Sequence, residues 1–317
     1  LAAGDYIVTI TEANGCVLIV DTTLVAAPLV NAVASVVTNY NGQDISCFGA
    51  SDGGITVVSS GGVPAYTYQW SVPGNPNLST AQSPSGLPAG TYTVVVTDQN
   101  GCPGTTTVTL VNPPQFVFNL AVSTNYNGQD ISCFGASDGG IDLSVSGATP
   151  AYYYVWTNEL GSTISTSQDP NGLPAGVYTV QTTDVNGCNF VGSISLSEPL
   201  PLVGVADVTS DYNGEDVSCF DYTDGSLTVV SKGGTPGYNY QWSTQGGVNL
   251  GVGVDQNNIG AGIYQVLITD VNGCSFIAPV VVTEPTQLIM APIIVSNYFG
   301  QAVSCEGATD GIVNTFA

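Results

Sequence analysis

Apolar and polar residues alternate with a period of two along much of the chain, and no stretch carries apolar residues at helical spacing behind a helix cap. Short β-branched runs such as Ile55–Ser59 and Thr91–Val96 are bounded by clusters of Gly, Pro, Asn and Asp. This combination is typical of strands joined by turns. The pattern therefore predicts an all-β protein.

The pattern also returns at a fixed interval. The stretch NYNGQDISCFGASDGGI occupies residues 39–55, recurs unchanged at 125–141, and recurs altered at 211–227 and 297–313. A fixed period without length drift indicates one structural unit copied in tandem. Two sets of cysteines keep the same step of 86 residues, counted for example from 47 to 133: Cys16, Cys102, Cys188 and Cys274, and Cys47, Cys133, Cys219 and Cys305.

Proline-containing joins divide the array into units. Proline cannot donate to a sheet ladder, so it suits the join between two sheets, and joins this short favour a stiff rod. Because the sequence starts and stops inside a repeat, we expect it to be a window onto a longer fibre. The predicted divisions are 1–28 (the C-terminal part of a repeat), 29–114, 115–200 and 201–286 (complete repeats, here repeats 1, 2 and 3) and 287–317 (the N-terminal part of a repeat).

Each repeat should contain about seven strands, and two recurring aromatic positions have predicted structural roles. A Trp in the third strand of a sandwich usually fills the core, which we favour over a sugar-stacking platform. A Leu, then Gly, then Tyr at the entry to a late strand resembles a tyrosine corner, whose hydroxyl bonds to backbone upstream. The predicted core residues are Trp70, Trp156 and Trp242, and the predicted corner residues are Tyr6, Tyr92, Tyr178 and Tyr264.

The charge balance excludes several classes of partner. Lys232 is the only basic residue against 24 acidic ones, histidine is absent, and the net charge is -23. Nucleic acids and anionic membranes require Lys and Arg, so neither is an expected partner. A transmembrane helix needs a run of about 20 apolar residues, which this sequence lacks, so we expect no membrane insertion in this segment.

Catalysis also finds little support in the sequence. Histidine is absent and the one lysine, Lys232, occurs in one repeat only, so the abundant serines lack a base partner for a triad. Paired carboxylates could serve glycoside hydrolysis, but an active site copied in every repeat is improbable. We therefore expect no enzymatic activity.

The recurring motifs resemble a known family. In repeat 1 they read CFGASDGGI, GGVPAYTYQW, LPAGTY and TDQNGC, and together they are similar to the SprB repeat of very large surface proteins in gliding and related Bacteroidetes. The resemblance covers essentially the whole chain. It implies tandem immunoglobulin-like or PKD-like β-sandwich domains in a linear array, an extracellular adhesin or filament, and export by the type IX route. The last part-repeat departs from the pattern at Phe299, Ala302 and Glu306.

Eight cysteines in two periodic sets predict disulfides and an extracellular location. The preferred pairing lies within a repeat, although the loop would have to climb back from the opposite end of the sandwich to reach the last hairpin. The rival pairing joins Cys16 to Cys47 and repeats that step, which would staple neighbouring repeats. Sequence alone leaves the connectivity open. The preferred pairs are Cys47–Cys102, Cys133–Cys188 and Cys219–Cys274.

Three acidic residues recur in every complete repeat. Carboxylates beside Asn and Gly in loops suit calcium, which takes about six to eight oxygen ligands. Ordinary turn chemistry is the alternative, because Asp and Asn before Gly bond to their own backbone. Calcium is the only cofactor that the sequence suggests. The candidate ligands are Asp44, Asp52 and Asp98, Asp130, Asp138 and Asp184, and Asp216, Asp224 and Asp270.

Two functions follow as hypotheses. The first is a structural and adhesive segment of a long bacterial surface filament, with roles in attachment and gliding motility. Its partners would be neighbouring repeats, other copies of the fibre, or surface polysaccharide. The second is a carbohydrate-binding or spacer region of a secreted multidomain enzyme.

Overall fold

The alternating runs form strands throughout, as the computed structural model shows for residues 1–316. Within these residues the regular structure consists of strands, with no helix. The all-β prediction is therefore confirmed. No helix formed by these residues is long and apolar enough to cross a membrane.

Each complete repeat contains seven strands, and the first strands of the three repeats start 86 residues apart, at Asn31, Val117 and Val203. In repeat 1 the strands are β3 (Asn31–Val36), β4 (Ser51–Ser60), β5 (Thr67–Val72), β6 (Asn75–Ser79), β7 (Ser85–Pro88), β8 (Gly90–Thr97) and β9 (Pro103–Leu110). They follow the hairpin of β1 (Gly4–Thr11) and β2 (Val17–Leu24) in the first part-repeat.

The remaining strands follow the same order. Repeat 2 comprises β10 (Val117–Val122), β11 (Ser137–Ser146), β12 (Tyr152–Thr157), β13 (Thr163–Ser165), β14 (Asn171–Pro174), β15 (Gly176–Asp184) and β16 (Asn189–Leu196). Repeat 3 comprises β17 (Val203–Val208), β18 (Gly225–Lys232), β19 (Asn239–Thr244), β20 (Asn249–Val252), β21 (Asp255–Ile259), β22 (Gly262–Thr269) and β23 (Ser275–Val282). The last part-repeat contributes β24 (Ala291–Ile294) and β25 (Val313–Phe316).

Two antiparallel sheets make up each repeat. In repeat 1 one sheet has the order β3-β4-β7 and the other β6-β5-β8-β9, and repeats 2 and 3 have the same orders. Inward and outward residues alternate along β8, so that Tyr92, Val94 and Val96 are buried. The core of repeat 1 combines these with residues of both sheets, including Ile55, Val57, Trp70 and Leu110. This is the predicted sandwich, in which apolar burial provides the main stabilisation.

The recurring aromatic residues are buried in the complete repeats. Trp70, Trp156 and Trp242 have no exposed surface, and each indole Nε1 donates to a backbone carbonyl, of Ala81, Ser167 and Gly253 respectively. The hydroxyls of Tyr6, Tyr92 and Tyr264 donate to the carbonyls of Ala2, Pro88 and Gly260, four residues upstream. Tyr178 occupies the equivalent buried position.

Contact density divides the chain into two compact units. The first comprises Leu1–Ala121, Asp142–Pro170 and Tyr178–Ile194, and the second comprises Val122–Ile141, Asn171–Val177 and the chain from Ser195 onward. Each unit therefore joins segments that the sequence assigns to different repeats. The repeat boundaries given above stay a prediction.

Candidate functional site

The recurring stretch at residues 39–55 begins with a loop that follows β3, and residues 40–43 of this loop form a tight turn. Tyr40 and Gln43 exchange backbone hydrogen bonds of 2.8 and 3.1 Å, and Asn39 Oδ1 accepts from the Gly42 backbone N–H. Asn41 and Gly42 have φ angles of +50° and +89°. Asn and Gly tolerate this left-handed region better than other residues, which explains the Asn-Gly pair at this position.

Two of the candidate calcium ligands anchor this loop. The Asp44 carboxylate accepts from the Val111 backbone N–H at 2.9 Å, just beyond β9, and the Asp52 carboxylate accepts from the Ser46 N–H at 3.1 Å. The loop is thereby fixed to the end of its own repeat. The copies bond in the same way, with Asp130 and Asp216 bound to the N–H of Ser197 and Thr283, and with Asp138 and Asp224 bound to the N–H of Ser132 and Ser218.

The third candidate ligand shapes the hairpin after the β8 strand. Asp98 is buried, and its carboxylate accepts from the backbone N–H groups of Val63, Asn100 and Cys102 at 2.8, 3.0 and 2.8 Å. The N–H of Val63, followed by that of Cys102, lowers the pKa of the Asp98 carboxyl below its usual value. Asp184 and Asp270 accept the equivalent three bonds in repeats 2 and 3.

These contacts account for the recurring acids as groups that anchor the loop and form the hairpin turn. Hydrogen bonds to the charged form favour a carboxylate, and burial is tolerated when several N–H groups surround it. Among residues 1–316, no three Asp, Glu or Cys side chains are grouped as a metal ion would require. Calcium binding at Asp44, Asp52, Asp98 and their copies stays a prediction.

A junction between neighbouring repeats forms where the hairpin of repeat 2 meets the loop of repeat 1. The Asn186 side chain lies at its centre and is half-buried. Its Nδ2 is 3.1 Å from the Tyr40 carbonyl, 3.3 Å from the Ser46 carbonyl and 3.0 Å from Thr149 Oγ1. Its Oδ1 accepts from Asn41 Nδ2 at 2.6 Å. The Asn186 amide nitrogen thus bonds to two backbone carbonyls of repeat 1. It also bonds to Thr149, which lies between β11 and β12 of its own repeat.

The second junction has the same geometry. Asn272 Nδ2 lies 3.1 Å from the Tyr126 carbonyl, 3.2 Å from the Ser132 carbonyl and 2.9 Å from Thr235 Oγ1, and Asn272 Oδ1 accepts from Asn127 Nδ2. Two independent copies of the same contact set make the junction a property of the repeat sequence.

A disulfide closes each junction. Cys47 is bonded to Cys188, and Cys133 is bonded to Cys274, each across 141 residues of chain. The predicted pairing within a repeat is therefore wrong, because none of its pairs is formed in the structure. Those pairs were Cys47–Cys102, Cys133–Cys188 and Cys219–Cys274. The rival pairs, which start with Cys16–Cys47, are wrong for the same reason.

The physical reason is the position of the two cysteine sets. The loop that carries Cys47 is held by Asp44 at the end of repeat 1 where β9 stops. The hairpin that carries Cys102 is bonded through Asp98 to Val63, on the turn between β4 and β5. A loop at one end therefore meets the hairpin of the following repeat. Within residues 1–316, Cys16, Cys102, Cys219 and Cys305 are unpaired and exposed.

The junction residues Asn41, Asn127, Asn186 and Asn272 were not predicted as functional. Each of them precedes a glycine, and an Asn-Gly pair indicates a turn. That explains the backbone conformation at these positions but not the contacts of the side chains. The sequence signal that could have identified them is their fixed distance from the cysteines, since each junction asparagine lies two or six residues before a periodic cysteine.

A pocket of about 270 Å³ flanks the first disulfide and is lined in part by Phe48, Phe116 and Phe190.

One family model matches a part of each complete repeat. A family model described as the SprB repeat matches residues 39–75, 125–161 and 212–247, which include the loop in all three complete repeats. The resemblance found from the motifs is thus confirmed. No protein with a curated description matches the chain.

Solved structures that match the chain include an adhesin and a biofilm-associated protein. One is described as a 1.5-MDa bacterial ice-binding adhesin, with 14% identity, a TM-score of 0.43, and coverage of 83% of this chain and 99% of that one. Another is the BSP domain of a biofilm-associated protein, with 11% identity, a TM-score of 0.32, and coverage of 83% and 67%. At these scores the likeness carries no functional argument, and the sandwich rests on the sheets described above.

Proposed function

We propose that this chain, which carries three SprB repeats in tandem, is an adhesion-type segment of a cell-surface protein. Its task is structural: a run of sandwich repeats extends attachment regions away from the cell. The observation that carries the proposal is the repeated junction, in which a loop, an asparagine and a disulfide tie each repeat to the next. Disulfides are typical of oxidising, extracellular surroundings.

The surface chemistry supports the same role. A net charge of -23 keeps neighbouring chains apart at low salt, and exposed charges more than about 8 Å apart are largely screened at physiological ionic strength. A filament in a gliding bacterium, exported by the type IX route, is the more specific form of this proposal. A carbohydrate-binding platform built on the recurring Trp is disfavoured because all three indoles are buried.

Surface labelling tests the proposal. Antibodies raised against residues 1–317 should label intact, unpermeabilised cells that express the gene, and deletion of the gene should reduce attachment and, in a gliding strain, movement. A strain that expresses the parent protein from a plasmid is the control. Labelling that requires permeabilisation would contradict a surface role, and hydrolysis of a polysaccharide by the purified array would contradict a purely structural one.

Calcium binding by the recurring acids is a separate proposal. A ligand that binds only the folded state raises the melting temperature by mass action. Millimolar calcium should raise the melting temperature and chelator should lower it. Asp44→Asn should reduce this response if Asp44 is a ligand. An unchanged transition in calcium and in chelator would leave these carboxylates with their roles in the loop and the hairpin alone.

A further inference from the structure

The two disulfide-closed loops of this chain overlap in sequence. The Cys47–Cys188 bond spans 141 residues, whereas the repeat is 86 residues long, from 47 to 133. The second bond, Cys133–Cys274, therefore starts before the first one ends, and the two loops share residues 134–187. Pairing within a repeat, from 47 to 102, would have produced separate loops with no shared residues.

Overlap changes the covalent connection between the two ends of the chain. From Cys47 to Cys274 a continuous path can follow the first disulfide and residues 189–273, or residues 48–132 and the second disulfide. A third path uses both disulfides and residues 134–187 in reverse. These three paths share no backbone segment. Separation of the ends therefore requires a break in each of the segments 48–132, 134–187 and 189–273.

We propose that the array is a covalent braid, in which interleaved disulfides keep the two ends joined through any two backbone cleavages between Cys47 and Cys274. The property follows from a disulfide span longer than the repeat, and it extends to each further repeat that forms the same junction. It does not depend on what the array binds. A surface protein with this connectivity tolerates proteolytic nicking that would release a singly connected chain.

Each segment contains an exposed turn at which cleavage can be introduced. Gly74, Gly161 and Gly247 lie at exposed tips after β5, β12 and β19, with open space around the position of a Cβ atom. Exposed loop tips are the usual sites of proteolytic nicking and of tolerated insertions. One turn lies in 48–132, one in 134–187 and one in 189–273, so the three sites match the three paths.

The braid also limits extension under load. Without disulfides, unfolding between Cys47 and Cys274 would release the whole stretch of chain that separates them. With both bonds, the shortest covalent path uses the two disulfides and residues 134–187, so the segments 48–132 and 189–273 stay hidden from the force. At about 3.4 Å per extended residue, the hidden length is about 580 Å.

The test inserts a recognition sequence for a site-specific protease after Gly74, Gly161 and Gly247, singly, in pairs and all together, in the full chain. After cleavage and alkylation of the unpaired cysteines, non-reducing electrophoresis should show one covalent species for every single and double site. The triple variant should separate into two species. Reducing gels should show all fragments in every case.

Matched cysteine variants make the result specific. With Cys47→Ser, cleavage after Gly74 alone should separate the chain without reductant, whereas Cys102→Ser should leave the single-cut species joined. Separation of any singly cut parent protein would overturn the proposal. If insertions disturb folding, stretching of the unmodified chain decides: reductant should lengthen the fully extended molecule by about 580 Å, and an equal length with and without reductant would also overturn it.

Discussion

Repeats 1 and 2 contain the same hairpin in two different settings. The buried aspartate accepts from the same two hairpin N–H groups, at 3.0 and 2.8 Å in residues 98–102 and at 2.9 and 2.8 Å in residues 184–188. Cys102 and Asn100 are nevertheless exposed, while Cys188 and Asn186 are half-buried against the loop of repeat 1. The aspartate therefore forms the hairpin whether or not a preceding repeat contacts it. The asparagine and the cysteine of the hairpin bind it to the loop of the preceding repeat.

The two repeats also fill equivalent space with different side chains. Repeat 2 places Phe118 against Gly192, where a Cβ atom would lie 2.5 Å from the phenyl ring. The equivalent positions in repeat 1 hold Ala32 and Thr106. A large residue on one strand is therefore matched by a small residue on the other, as close packing of the interior requires.

Removal of the disulfide should have the largest effect. Cys188→Ser removes the cross-link that closes a 141-residue loop, which the chain-entropy relation values at up to about 5 kcal/mol. The matched variant Cys102→Ser changes an exposed, unpaired cysteine and should stay within about 0.5 kcal/mol of the parent. Thermal melts without reductant check both. Equal effects of the two variants would contradict the pairing.

Exchange of the packing pair should have the next largest effect. Gly192→Thr should destabilise repeat 2 by about 1–3 kcal/mol, because the new side chain overlaps the Phe118 ring. Addition of Phe118→Ala recreates the combination present in repeat 1 and should recover much of the loss. A double-mutant cycle by chemical denaturation measures the coupling. Additive effects of the two changes would show that these positions do not share one space.

The junction asparagine should contribute less. Asn186→Ala removes the amide contacts with the Tyr40 and Ser46 carbonyls and with Asn41, and should cost about 1–2 kcal/mol. Asn100→Ala, at the exposed copy, should stay within about 0.5 kcal/mol. Melting of both variants with the disulfides intact makes the comparison. A loss at Asn100 as large as that at Asn186 would mean that this residue acts within the hairpin.

The smallest expected effect is the pH dependence of the stability that Asp98 contributes to its hairpin. Because the folded-state pKa of Asp98 is lowered, its stabilisation is present above the unfolded pKa of about 3.9 and is lost as the pH falls through the folded value. Asp98→Asn should therefore lower the melting temperature at pH 7, and its difference from the parent should shrink below about pH 4. In a protein made of residues 1–317 alone, where Cys102 is unpaired, the effect should be the same with and without reductant. Asp142→Asn, an exposed change, is the control.

The strands and the tyrosine corner could be predicted from the sequence because they depend on residues that are close together in the chain. Alternation of apolar residues gave the strands, and the entry motif at Tyr92 gave a hydroxyl that bonds four residues upstream. Disulfide connectivity was not predictable in this way. Cys47 is much nearer in sequence to Cys102 than to Cys188, its partner across 141 residues. Only the position of each loop at one end of the sandwich or the other decides which of these two cysteines it can reach. The side-chain role of Asn186 was hidden for a similar reason, since its backbone already explains an Asn-Gly turn.

Direct mapping of the disulfides in the full chain tests the central claim. The protein is alkylated, digested without reductant and analysed by mass spectrometry. In a protein made of residues 1–317 alone, the account predicts peptides that contain Cys47 joined to Cys188 and Cys133 joined to Cys274, with Cys102 and Cys219 recovered as alkylated thiols. Recovery of Cys47 joined to Cys102, or of Cys102 joined to Cys133, would contradict both the junction and the braid.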